Sequence, residues 1–374
     1  MARDFTPPAG DGRLRVMAKR WSPVSRRRFL SGAVAALVAA RPQSLSSQSR
    51  QSQPLTRVAF GSCADQGAPQ PIWEAVLAYR PELFIFAGDN VYGDVSSGDL
   101  VELRQAYATA REIPGMNRLR ASVPHLATWD DHDYGENDGG ADFPWRRESQ
   151  RQFAEFWDLA PGDPRRMREG VYHAATFGPV DRRVQVILLD TRYFRSPLKP
   201  SDQRGAPGKE RYVPDDDPAK TILGAAQWQW LEERLAEPAQ IRLIVSSIQV
   251  LAEGHGWERW GNLPRERRRL FDLIARTKAE GVVFLSGDRH VGALYEETGD
   301  VPYPLIEITS SGINKFFAAA SEAGPNRLGA LYPLPNFGIV DIDWWSDEIS
   351  LAVADIAGQS RRRATRRISS LRQA

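Results

Sequence analysis

The chain has 374 residues, 42% hydrophobic and 26% charged, with eleven Trp and fifteen Phe. These proportions are ordinary for a globular protein and exclude wholesale disorder, a collagen-like repeat and a membrane bundle. The formal charge of +2 is unevenly spread: residues 1–40 carry a net +6 and residues 360–374 another +6, which leaves −10 on the body between them. An acidic body argues against a nucleic-acid-binding face and suits a protein that gathers cations. Cys63, the one cysteine, can form no internal disulfide, so any role for it rests on thiol or thiolate chemistry.

The N-terminus reads as an address. Ser25-Arg26-Arg27-Arg28-Phe29-Leu30 leads into an apolar run, FLSGAVAALVAA, that ends at Ala40. Its 12 residues fall short of the about 20 that span a bilayer. A basic lead, a short apolar stretch and the small residues Val38-Ala39-Ala40 make residues 1–40 a signal peptide. The paired arginines resemble a twin-arginine signal, which implies the twin-arginine export machinery, a periplasmic or secreted protein, and no transmembrane span in its mature form. Residues 41–54 are polar and low in complexity, and are expected to be a disordered linker.

From residue 55 the two periodicities alternate. Strands are expected over Arg57–Ser62, Leu83–Ala87 and His125–Thr128, and helices over Pro71–Tyr79, Leu100–Arg111, Asn117–Ala121 and Trp145–Trp157. Further on, Val171–Phe177, Val184–Asp190, Ile241–Ser247, Val282–Ser286, Leu305–Thr309, Gly338–Ile342 and Ile349–Val353 read as strands, with helices over Gln227–Leu235 and Pro264–Glu280. Residues 195–222 are long, polar and rich in Pro, Gly and Asp, the mark of a functional or mobile loop. The pattern predicts a mixed α/β sandwich with sheets inside and helices outside. One catalytic domain is expected over residues 55–357, followed by a disordered basic tail over 358–374.

Four segments repeat one design, an apolar strand that runs into a turn carrying ligand-type residues. The first is Phe60-Gly61-Ser62-Cys63, whose plainer reading is a buried core cysteine. The second, Gly88-Asp89-Asn90-Val91-Tyr92-Gly93-Asp94, offers a carboxylate able to bridge two cations, with Tyr92 returning across the turn; its plainer reading is an Asp-Asn turn. The third packs Asp130, Asp131, His132, Asp133, Glu136, Asn137 and Asp138 into nine positions, where the carboxylates repel unless cations neutralise them. The fourth, Ser286-Gly287-Asp288-Arg289-His290, sets Asp288 and His290 at alternate positions, so that extended backbone would point both the same way. Arg289 then points away, into a structural ion pair. Ser246–Gln249 and Glu253–Trp257 are weaker candidates, and His125 and His173 sit in apolar strand contexts that suit a structural role. Thiolate, phenolate and imidazole favour a transition metal, and the surplus carboxylates favour Ca²⁺, Mg²⁺ or Mn²⁺ beside it. A lone structural zinc is excluded by the absence of a second cysteine.

Together Phe60–Cys63, Gly88–Asp94, Thr128–Asp138 and Ser286–Gly292, with the leader, resemble the alkaline phosphatase D-like (PhoD-like) metallophosphoesterases. The resemblance implies a four-layer α/β/β/α sandwich and a phosphate-ester hydrolase with a multinuclear centre of Fe³⁺ and Ca²⁺, for which Mn²⁺, Mg²⁺ or Zn²⁺ can substitute. It places Cys63, Asp89, Tyr92, Asp288 and His290 at the iron, with Asp89 bridging. Asp131 and Asn137 would serve the second metal or the phosphate, and His132 would protonate the leaving group. The short linker before the first strand matches a compact branch without a separate N-terminal sandwich domain. Small-molecule, lipid or polymer phosphate esters are the implied substrates. The rival readings are a phosphodiesterase directed at phospholipids or wall polymers and a non-catalytic, metal-dependent binder of phosphate ligands.

Overall fold

The computed structural model describes residues 52–373, and the expected signal peptide and all but the last three residues of the linker lie outside them. Its twelve strands form two sheets of six. The first sheet is ordered β12-β11-β10-β1-β2-β3, with β1 Arg57–Gly61, β2 Leu83–Ala87, β3 His125–Thr128, β10 Asn336–Asp343, β11 Glu348–Asp355 and β12 Ser360–Arg367. The second is ordered β4-β5-β6-β7-β9-β8, with β4 His173–Phe177, β5 Val184–Leu188, β6 Ile241–Ser246, β7 Val282–Ser286, β8 Gly292–Glu297 and β9 Leu305–Ser310. In the first sheet β1, β2 and β3 run parallel and β10, β11 and β12 pair antiparallel, whereas in the second β5, β6, β7 and β9 run parallel between the antiparallel edge strands β4 and β8.

The continuous apolar runs that predicted buried strands divide by parity between two cores. In β1 and β2, Val58, Phe60, Leu83, Ile85 and Ala87 face the second sheet. Their alternates Ala59, Phe84 and Phe86 turn outward onto helices. These outer helices are α1 Ile72–Tyr79, α2 Val101–Ala110, α3 Pro114–Ser122 and α5 Arg146–Phe156, which supply Trp73, Leu103, Leu119 and Phe153. Between α3 and α5 lies a single turn, α4 Asp131–Tyr134. On the far side of the second sheet, α6 Gly224–Leu235 and α7 Pro264–Thr277 press Trp228, Leu231, Leu270 and Ile274 onto it. The result is the four-layer α/β/β/α sandwich expected from the sequence.

Two expectations fail at the C-terminal side. Strand β8 was not anticipated, and residues 360–367 of the supposed disordered tail form β12, an antiparallel edge strand on β11. Its charge run conceals a period of two. Arg362, Ala364 and Arg366 are half-buried, whereas Arg361, Arg363 and Arg367 are exposed. Arg366 pairs with Glu296 and Arg361 with Asp355, and Leu371 is buried beyond the strand. Arginine stems cover apolar surface while the heads stay in water, which makes arginine a workable edge-strand residue. The 195–222 segment is likewise tied down. Pro200 bridges Tyr212, Arg211 and Tyr212 donate backbone N–H bonds to Gly256 O, and the Tyr212 hydroxyl reaches Asp138 at 2.8 Å.

Candidate metal centre

Turns after β1, β2, β3 and β7 meet at the carboxyl ends of the strands, and they do so with left-handed backbone. Cys63, Asp89, Asp288 and His290 have φ of 61°, 48°, 65° and 56°. Such conformations cost about 1–3 kcal/mol each for residues with a Cβ and collect at functional sites. The sequence reading of Asp288 and His290 as alternate positions of an extended chain is therefore corrected. The turn is left-handed at both, and it still delivers both side chains to the centre. Gly88, with φ 103°, allows the β2 turn to approach the β3 turn, since a Cβ there would lie 2.6 Å from the Asp130 Cβ. Asp133 ties the two turns together by accepting from the Asp89 and Asn90 amides at 3.2 Å each and from the Asn90 side chain at 2.6 Å.

The predicted ligands converge. Cys63 Sγ lies 3.4 Å from Asp89 Oδ2, and the Tyr92 hydroxyl is 3.1 Å from the same oxygen and 3.2 Å from His290 Nε2. The His132 amide approaches Asp89 Oδ1 at 3.3 Å, and Asp131 accepts from the Asp138 amide at 2.7 Å. Ligand atoms of Cys63, Asp89 and His290 lie within 4.8 Å of one another, as do those of Asp89, Asp131 and His132, and those of Asp130, Asp131 and Asp288. Asp89 belongs to two of these groups and Asp131 to two, so adjacent groups share carboxylates. A fourth group, Asp131, Asp138 and Glu258, extends the row. Thiol, phenol, imidazole and carboxylate donors in this arrangement fit more than one metal ion.

The electrostatics point the same way. Burial, Asp131 and Cys63 push the Asp89 carboxyl well above the usual range, and burial with Asp130 and Asp131 does the same to Asp288. Burial pushes the Cys63 thiol up to about 11 and lowers His290 to about 4. Burial would lower His132, but Asp131, Asp94 and Asp130 outweigh it and raise the group. The His132 ring is held by Asp94, 2.7 Å from Nδ1, and lies 4.4 Å from the Tyr92 ring, leaving Nε2 for chemistry. Asn137 lines a cavity of about 240 Å³ together with Asp89, Asp131 and His132.

Sequence reasoning passed over several participants. Arg192 Nε donates to Asp130 Oδ1 at 2.5 Å and Nη1 to Glu258 at 2.6 Å, and Arg195 lies 2.9 Å from Glu258. The rule that found the other turns also applies to Asp190-Thr191-Arg192 after β5. Ser247 earns its place by donating to Asp130 at 2.6 Å, but Gln249 and His255 bond each other in a buried network with Tyr295 and Thr309. Arg289 does form the expected ion pair, with Glu322, yet it also borders the cavity. His125 packs on Phe86 and Trp157 away from the centre. It and His173 border a larger groove of about 800 Å³ between β3 and β4 that holds none of the ligand groups, so volume does not identify this site.

The chain matches the sequence profile of the PhoD-like phosphatases over residues 58–323. It is 24% identical over 238 residues to alkaline phosphatase D of Bacillus subtilis (strain 168), an alignment that takes in 58% of this chain and 40% of that relative. The match thus spans well under half the length of that curated relative. Among solved structures, PhoD superposes with a TM-score of 0.68 at 17% identity over 86% of this chain and 72% of that one. A purple acid phosphatase from yellow lupin (Lupinus luteus) gives 0.55 at 11% identity over 84% and 54%. GAP50, described as the anchor in the inner membrane complex of Plasmodium, gives 0.52 at 12% identity over 86% and 90%. At these identities the structural likeness establishes the fold.

Proposed function

Because this chain belongs to the PhoD-like phosphatase family, we propose that it is an exported, metal-dependent phosphoesterase that hydrolyses phosphate mono- or diesters. The observation that carries the reading is Asp89, whose carboxylate stands in two adjoining ligand groups at once. Cys63, Asp89, Tyr92 and His290 would hold Fe³⁺. Asp288, which the resemblance set at the iron, groups instead with Asp130 and Asp131, so it would join Asp89 and Asp131 at one or more Ca²⁺ ions, with Mn²⁺, Mg²⁺ or Zn²⁺ as substitutes. Bound metal supplies an activated water and neutralises the phosphoryl oxygens.

The chain's own residues do the rest. The oxygen of water bonds to phosphorus in line with the ester oxygen that leaves, and the P–O bond to that oxygen breaks. His132 Nε2 gives the departing oxygen its proton, with the ring fixed through Nδ1 by Asp94. Asn137 at the cavity wall is placed to hold a phosphoryl oxygen. The twin-arginine-like leader supports export to the periplasm or beyond, after folding and metal loading. A non-catalytic binder of phosphate ligands would need no proton donor, and the His132–Asp94 pair disfavours that reading.

The test is metal analysis and visible absorption of the exported protein, followed by assay of 4-nitrophenyl phosphate and an alkyl phosphate in wild type and His132→Ala. Bound metal, hydrolysis of both, and a loss of about 10²-fold or more confined to the alkyl ester are expected. Equal losses on both esters would remove the acid role, and a metal-loaded wild type inert to both and to the diester methyl 4-nitrophenyl phosphate would remove the activity.

A further inference from the structure

The catalytic cavity does not end at the metal-ligand groups. Beyond the ligand-type residues, its wall includes Arg211, Trp257, Arg289 and Phe317. Trp257 and Phe317 also line a second cavity of about 430 Å³, so the two spaces meet along one aromatic sill. Phe317 is 46% exposed and its neighbour Phe316 39%. Phe317 is held there by its amide, which donates to His290 O at 2.8 Å, within the Asp288–His290 turn. Exposed adjoining aromatics beside a polar site mark a surface that meets a ligand.

The second cavity has a distinct chemistry. Gly205, Gly208, Ala319, Ala320 and Ala323 line it with little side-chain bulk. Its charged lining residues are Glu210 and Glu322, with no Lys or Arg among the lining residues. Glu322 is paired with Arg289, while Glu210 accepts the Gly256 and Gly208 amides. An anionic group entering it would meet carboxylate and no cation, whereas a neutral apolar group would replace water on Phe317 and the alanines. His132 and Asp94 are not part of this lining. The ester oxygen that leaves must sit at His132, so the substituent that reaches the second cavity is the one that stays on phosphorus.

Building on the phosphoesterase reading above, we propose that the preferred substrates are phosphodiesters whose retained arm is uncharged and aromatic or apolar, bound across Phe317 and Trp257 in the second cavity. Hydrolysis then breaks the P–O bond to the other alcohol and releases the arm as its phosphate monoester. Phe317 is the specificity-determining residue. Trp257, packed with the Arg211 and Arg289 guanidiniums 5.4 and 5.0 Å from its ring centre, forms the fixed end of the sill.

The experiment keeps the leaving group constant and varies the arm. Metal-loaded, exported wild type is assayed on methyl 4-nitrophenyl phosphate, phenyl 4-nitrophenyl phosphate, its 4-carboxyphenyl analogue and 4-nitrophenyl phosphate. The phenyl-to-methyl ratio of kcat/KM is expected to fall about tenfold in Phe317→Ala, chiefly through KM, as one aromatic contact is lost. Phe317→Tyr restores the ratio. Ala320→Trp, which fills the cavity from a lining residue whose amide bonds the Phe317 carbonyl and leaves the Phe317 side chain in place, lowers it as Phe317→Ala does. The carboxylated arm loses most of the advantage of the phenyl arm in wild type. A ratio that Phe317→Ala and Ala320→Trp both leave unchanged overturns the arm site while the esterase reading stands. No turnover of any of the four compounds by metal-loaded wild type overturns both.

Discussion

Two sets of buried carboxylates lie side by side in this molecule and are neutralised by different means. Asp130 and Glu258 are 0–2% exposed and bonded to the guanidiniums of Arg192 and Arg195. Burial works against the Arg192 charge, but Asp130 and Glu258 more than offset it and hold the group well above its usual value. Asp89 is 1% exposed and Asp288 half-buried, and neither makes an ion pair with Lys or Arg among the described residues. Asp89 instead faces the neutral donors Cys63 and Tyr92. A carboxylate that the chain answers with its own arginine is scaffold. One that it leaves without a cation at a strand end, as with Asp89 beside a thiol and an imidazole, is what the proposed metal centre would neutralise.

The largest effect should come from the second set. Asp89→Asn keeps the shape and removes the bridging charge. Metal content should fall, and kcat/KM should drop by well over the about 10²-fold typical of losing even an outer-shell partner. Stability should move the other way once metal is chelated. The Asp89 carboxyl is raised in the folded chain, so the fold holds that proton more tightly than the unfolded state does. The chelated wild type therefore loses stability as pH rises above the ordinary carboxylate range, and Asp89→Asn removes that loss. Thermal melts of chelated wild type and variant across pH 4–8 measure it. A variant that keeps both metal and activity would dissolve the distinction between the two sets.

The first set should answer in stability instead. Arg192→Met strands Asp130 and Glu258 without their cation, which costs about 3–5 kcal/mol for a broken buried pair. Denaturant titration gives the loss, and metal analysis of the folded fraction should show its content retained. Loss of metal at unchanged stability would instead place Asp130 and Glu258 among the ligands, as their presence in two of the ligand groups permits.

The difference between the sets was only half legible in the sequence. Apolar runs ending in Gly-Asp announced Asp89 and Asp288 because a buried parallel strand has a strong local pattern and its carboxyl end has a fixed place in the fold. The same pattern predicted a mixed α/β sandwich with sheets inside and helices outside, and the four layers were implied by the family resemblance. Arg192 and Glu258 are 66 residues apart and meet only through tertiary packing. No local signal separates Asp130, bonded to that arginine, from Asp131 beside it. The edge strand β12 was hidden for a related reason: a run of arginines broken only by Ala364-Thr365 looks polar on both faces until Glu296 and Asp355 are seen across from it. Asp288 and His290 reach the strand-end centre on a backbone that the sequence does not foretell, because a turn of two left-handed residues has no sequence mark outside glycine and asparagine.

Cys63 is where the comparison is sharpest, because a buried cysteine is packing in most proteins. Here its surroundings are polar. Sγ lies 3.0 Å from Ser311 Oγ and 3.4 Å from Asp89 Oδ2, and burial raises the thiol to about 11, so the free protein keeps it protonated at neutral pH. A thiolate forms there only if a metal replaces the proton, and sulfur favours the softer, transition-metal side of a mixed centre. Cys63→Ser preserves the size and hydrogen bonding of the site while replacing sulfur by a harder, shorter ligand. The expected loss is about 10–100-fold in affinity for the transition metal, with the carboxylate-bound ion retained and the melting temperature of the metal-free protein nearly unchanged. Metal analysis after dialysis reads the first, and a melt in chelator reads the second. Unaltered transition-metal content with a lowered melting temperature would return Cys63 to the core and leave Asp89, Tyr92 and His290 to hold the ion without sulfur.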